Sequence, residues 1–133
     1  MLSWPPTVKV FLCCNATDMR KGFDSLAYLV ESSMALEPLS GHLFVFRSRR
    51  GDRIKILYWD ADGYVLWYKR LETGCFRFPT AAAQATGHVE IKAADLMMIL
   101  DGVDLASVRR QRRYSRESVE IPREAPFRSP DRL

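Results

Sequence analysis

The alternation of apolar and polar positions sets out the chain's elements. Val8, Val10 and Leu12 alternate with Lys9, Phe11 and Cys13 after Pro5-Pro6, which predicts a first strand. Met19, Phe23, Leu26, Ala27, Val30 and Met34 then fall on one helical face and predict one long amphipathic helix, ended by Pro38. Thr17 or Asp18 is placed to cap it. Gly22 costs about 1 kcal/mol relative to Ala in a helix interior, which favours a start after it. Segments of strand character follow at 42–47, 54–59, 64–70 and 75–78. They are separated by the polar turns 48–53, 60–63 and 72–74, and Pro79 closes the run. Residues 80–86 are alanine-rich and read as a loop, 88–91 as a short strand, and 93–100 as a short buried helix with Gly102 as its C′ residue. The expected fold is α+β: an antiparallel β-meander of about five strands, one long amphipathic helix packed on it and a short C-terminal helix.

Composition divides this pattern into a domain and a tail. The 133 residues, 47% of them hydrophobic, suffice for one domain with its own core at 1–106. Beyond it, Arg109, Arg110, Arg112, Arg113 and Arg116 precede Pro122, Pro126 and Pro130 with little apolar content, so 107–133 reads as a flexible basic tail. No internal repeat is present. The N-terminus has neither the basic region nor the apolar stretch of a signal peptide, and no run approaches the roughly 18 apolar residues of a membrane span. The three cysteines lack C-x-x-C spacing and are odd in number, which implies no disulfide framework, no zinc site and a reducing, cytoplasmic setting. His42 and His88 lie too far apart to read as a metal pair by spacing. No cofactor is expected.

The formal charge is only +4, but fifteen of the twenty basic residues are arginines. Arginine's rigid fork grips phosphate or carboxylate bidentately, whereas a merely solvated face more often carries lysine. High genomic GC content raises arginine as well. Four constellations qualify as candidate chemistry. Arg47, Arg49, Arg50, Arg53 and Lys55 surround one tight hairpin turn, the arrangement of closely placed charge that a phosphate backbone requires. The same spacing suits a solvated hairpin tip partly neutralised by Asp52. Tyr58, Trp59, Tyr64, Trp67 and Tyr68 adjoin it; they read as core before they read as a base-stacking platform. Thr17-Asp18-Met19-Arg20-Lys21-Gly22-Phe23-Asp24 offers an anion site beside a helix N-terminus, or an ordinary cap with an Arg20–Asp24 pair. Asp60 and Asp62, joined by Asp18, would make a metal-dependent nuclease centre, but Asp60-Ala61-Asp62-Gly63 is also ordinary turn chemistry. The fourth is the C-terminal arginine run, which suits a disordered arm on nucleic acid. No Ser/His/Asp set, H-E-x-x-H or Walker loop is present.

These residues carry a resemblance. The stretch 17–24 matches one signature of a known family. Ser40-Gly41-His42-Leu43-Phe44-Val45-Phe46-Arg47, Arg49-Arg50-Gly51-Asp52-Arg53-Ile54-Lys55-Ile56-Leu57-Tyr58-Trp59-Asp60, Tyr68-Lys69-Arg70-Leu71-Glu72 and Phe78-Pro79 match the other. The chain resembles the TnpB-type accessory proteins of the insertion-sequence sixty-six family of bacterial transposons over roughly residues 3–105. It departs from the usual pattern at Ser48, where Asn is common, and at Cys75, where a basic residue is common. The resemblance implies a role in transposition beside a separate, larger transposase that carries the acidic catalytic residues. The expectation is a non-catalytic accessory protein that binds DNA, the transposon ends included, or the transposase–DNA complex. Its contacts would be Arg47, Arg49, Arg50, Arg53, Lys55, Lys69 and Arg70, with Arg20 and Lys21 if they lie nearby. The alternative is a protein–protein adaptor that grips the transposase without DNA. Oligomeric state is left open.

Overall fold

The computed structural model describes residues 5–79 and 87–102. The expected loop at 80–86 and basic tail at 107–133 lie outside them. The elements run β1 (Val10–Cys13), α1 (Phe23–Ser32), β2 (Leu43–Arg47), β3 (Arg53–Asp60), β4 (Gly63–Arg70), β5 (His88–Ile91) and α2 (Ala93–Leu100). The five strands form one sheet in the order β4-β3-β2-β1-β5.

The sheet is mixed, and this corrects the expected antiparallel meander. Only β2, β3 and β4 form one, through the antiparallel registers Phe44↔Leu57 and Leu57↔Leu66. β1 pairs with β2 in parallel, Val10 opposite Leu43. Parallel neighbours need a crossover, and α1 supplies it. β5 then pairs antiparallel with the other side of β1. The segment 75–78, expected as a strand, joins no ladder; Phe76 N–H instead donates to the Gly51 carbonyl at 2.8 Å and its ring is buried.

Alternation along the strands feeds two cores. Phe11, Cys13, Phe44, Phe46 and Leu57 face α1 and pack with its Leu26 and Val30. Val10, Leu12, Val45, Ile54 and Ile56 face the other way and pack with Leu96, Ile99 and Leu100 of α2. All four residues of β1 are buried, which is what a central strand covered on both faces requires.

α1 is ten residues long rather than long. It starts after Gly22, whose side-chain-free N-cap replaces the expected Thr17 or Asp18 cap. It ends before Pro38 because Ala35 takes a left-handed turn at φ +58° and the Leu36 N–H returns to the Val30 carbonyl at 2.9 Å. Met34 is therefore buried just beyond the helix. Gly102 closes α2 as expected, at φ +82° with its N–H on the Ile99 carbonyl.

Candidate nucleic-acid interface

Parallel pairing puts the C-terminal ends of β1 and β2 side by side. The loop that follows β1 consequently meets the hairpin that follows β2, and two constellations far apart in sequence become one surface. The Thr17 N–H donates to the Arg47 carbonyl at 2.8 Å. Thr17, Asp18, Met19, Ser48, Arg49, Arg50, Asp52 and Arg53 line a shallow concavity of about 280 Å³.

The hairpin tip is held in one shape. Ser48 is buried, and its Oγ accepts from the Gly51 N–H at 3.2 Å and the Arg53 N–H at 3.1 Å while donating to Asp52 Oδ1 at 3.2 Å. Gly51 takes φ +82°, and the Cys75 thiol donates to the Arg50 carbonyl at 3.2 Å from outside. A side chain at 48 thus needs one acceptor and one donor. Ser48→Asn should be tolerated within about 0.5 kcal/mol, whereas Ser48→Ala takes the side-chain acceptor from the Arg53 N–H, the Gly51 N–H keeping the Ser48 carbonyl at 3.0 Å, and should cost about 1 kcal/mol in urea unfolding.

The expected contact residues divide into groups. Arg49 and Arg50 are exposed at the tip and Arg53 borders the concavity; among the described residues none of the three engages an ion pair through its side chain. Arg20 lies near them but is committed: its Nε and Nη2 fork onto Asp18, the shortest contact 2.8 Å, replacing the expected pairing with Asp24. These bonds, joined by the Arg20 N–H on Asp18 Oδ1, hold the Asp18 carboxyl well below the usual carboxylate range. Lys21 adjoins that loop, half-buried. Arg70 sits opposite Arg53 on the α1 face of the sheet and pairs with Glu72 at 3.0 Å.

Two residues face the other way. Arg47 and Lys69 flank Ile54 in register across three strands, on the α2 face. Arg47 is half-buried there, donates to the Cys14 carbonyl at 3.2 Å and lies over the Phe78 ring at 6.0 Å. Lys69 is exposed.

Lys55 turns inward rather than toward the hairpin tip. It is 6% exposed, and its ammonium donates to the Met19 carbonyl at 2.8 Å and the Lys21 carbonyl at 2.7 Å, with the Tyr68 ring 4.5 Å away. It fastens the 17–22 loop to the sheet, a role sequence spacing alone did not assign.

The carboxylates of the nuclease alternative are separated. Asp18 stands beside the first residue of β3, while Asp60 is its last residue and Asp62 lies in the turn beyond. Eight strand residues span roughly 25 Å. Among the described residues no group of three or more His, Cys, Asp or Glu side chains is placed to hold a metal. Asp62 N–H on the Asp60 carbonyl, with Ala61 at φ +53°, shows the turn chemistry expected of this segment. The sheet is thus polarised along its strands, arginine-rich at the 48–53 tip and acidic at the 60–62 turn.

The family model for IS66 Orf2-like proteins matches residues 8–110. Two proteins of Sinorhizobium fredii (strain NBRC 101917 / NGR234) are similar over 104 residues each. Uncharacterized protein y4hO is 41% identical, covering 78% of this chain and 88% of its own. Uncharacterized protein y4jC is 32% identical, covering 78% and 86%. No solved structure matches the chain. No helix among the described residues is long and apolar enough to cross a membrane.

Proposed function

The chain belongs to the family of IS66 Orf2-like proteins, and from that premise we propose that it acts in transposition of its insertion sequence as a non-catalytic accessory protein that binds DNA. Family membership connects it to transposition; the DNA contact is our reading of the surface. The observation that carries it is the braced tip of Arg49, Arg50 and Arg53 beside the 17–21 loop, at the end of the sheet away from Asp60 and Asp62. A rigid tip presents its guanidiniums without first ordering them, so less of the binding free energy is lost to side-chain and loop entropy. Phosphate contact here positions the protein on a duplex without reading bases. The transposase, as a separate chain, would supply the chemistry.

The test is binding of the purified protein to a labelled transposon-end duplex and to a scrambled duplex across a salt series. Each phosphate neutralised contributes about 0.9 to the slope of log K against log salt. Reversal of charge at Arg49 and Arg50 together should therefore flatten that slope by about 2 and leave far-ultraviolet circular dichroism unchanged. An unaltered slope removes the tip from the DNA interface.

A second reading is supported by the two ion pairs already present. Arg20 on Asp18 and Arg70 on Glu72 are guanidinium–carboxylate contacts of the kind an acidic protein partner would offer. On that reading the protein is an adaptor and co-purifies with the transposase after nuclease treatment.

A further inference from the structure

We infer that the outer edge of β4 is the contact between two copies of this chain, which pair antiparallel about Leu66. Among the described residues β4 lies at the end of the strand order, with β3 on one side only. Its eight residues, Gly63–Arg70, contain no proline, and charge enters only at Lys69 and Arg70. An edge of this length with so few guards is a template for another strand.

The backbone directions fix which groups it offers. The Ser48 N–H bonds to the Arg53 carbonyl, so Arg53 points its main chain toward β2, and the residues in step with it, Lys55, Leu57 and Trp59, do the same. The Leu71 N–H bonds to the Asp52 carbonyl at 2.8 Å, so the odd-numbered residues of β4 point theirs toward β3. Tyr64, Leu66, Tyr68 and Arg70 therefore direct their amides and carbonyls outward.

A second copy is the occupant that complements this edge. Antiparallel pairing of two identical edges about a two-fold axis is isologous, and it keeps the α1 face of one copy continuous with that of the other. Hydrogen-bonded pairs must join outward-pointing residues, which restricts the register to even steps. Centring on Leu66 sets Leu66 opposite its own copy, Tyr64 opposite Tyr68 of the second chain, and Asp62 opposite its Arg70. Opposite charges and aromatic pairs directly across strands both stabilise such a ladder. Shifting the centre to Trp67 would instead set Asp62 opposite Glu72. The polarity of the sheet, acidic at the 60–62 turn and basic at the far end of β4, thus matches its own antiparallel image.

The experiment is sedimentation equilibrium of the full chain over a concentration series at low salt, for the wild type, Asp62→Arg and Arg70→Asp. Both substitutions are on exposed side chains, and circular dichroism verifies the fold. The wild type should dimerise reversibly. Each single variant faces two like-charge contacts, one on each side of the axis, and should dimerise at least roughly tenfold more weakly. An equimolar mixture of the two variants restores both opposite-charge pairs and should form a heterodimer at the wild-type level. A wild type that stays monomeric overturns the inference. So does a dimer indifferent to both substitutions, or two weakened variants whose mixture fails to recover.

Discussion

Gly87→Ala should unfold the protein at markedly lower denaturant. At the entry to β5 the Gly87 backbone takes φ +79°, a left-handed conformation that costs an L-residue roughly 1–2 kcal/mol. A Cβ built there would lie 1.8 Å from the Ser33 carbonyl oxygen and 3.0 Å from its carbon. The obstacle is backbone at the C-terminal end of α1, so no rotamer change relieves it. Either α1 or β5 must move. Movement would pull the Gly87 carbonyl from the Cys14 N–H at 3.0 Å and His88 Nδ1 from the Met34 carbonyl at 2.7 Å. Forced overpacking typically adds about 1–3 kcal/mol, so the total loss should reach about 3 kcal/mol or more. Urea unfolding followed by tryptophan fluorescence measures it. A loss under about 1 kcal/mol would mean that the α1–β5 approach is looser than described.

The approach of Gly87 to Ser33 belongs to the part of the fold that the sequence concealed. Segments 42–47, 54–59 and 64–70 were legible because period-2 alternation and Gly- or Asp-rich turns coincide there, and these are local signals. The parallel partnership of β1 and β2 was not. It is set by the two-sided burial of Val10–Cys13, and a four-residue apolar run reads the same in either direction. α1 looked longer than it is because Met19 and Met34 pack in its core from the loops at either end, in phase with the helical face. Phe76 is likewise a core residue on an irregular segment, and its neighbours gave it the appearance of a strand. The candidate site shows the same division. Both of its parts were legible as motifs, but their adjacency follows from the parallel pairing, so the sequence presented the 17–24 stretch and the hairpin as separate candidates. Arg47 was grouped with Arg53 by proximity along the chain and Lys69 through the family signature, although strand alternation sets both on the opposite face.

Lys55 carries the clearest case, because alternation does contain its role. Arg53, Lys55, Leu57 and Trp59 share one face of β3, and Leu57 belongs to the α1-side core. A lysine two residues before it must either bury its ammonium or find carbonyls. It finds those of Met19 and Lys21, at 2.8 and 2.7 Å, with the Tyr68 ring closing a third side. Lys55→Met keeps the aliphatic stem and deletes the charge. Two carbonyls lose a charged donor, each such bond contributing about 1.5–3 kcal/mol, so the expected loss is about 3 kcal/mol of stability. Arginine should not rescue it, since a planar fork cannot reproduce the compact ammonium between two carbonyls and a ring. The same substitution separates a fastening role from a phosphate contact. If Lys55 held a phosphate, Lys55→Met would flatten the salt dependence of DNA binding by about 0.9; as a fastener it should leave that slope unchanged while lowering the urea midpoint. A flattened slope at unchanged stability would return Lys55 to the phosphate surface and require its ammonium to turn outward on binding.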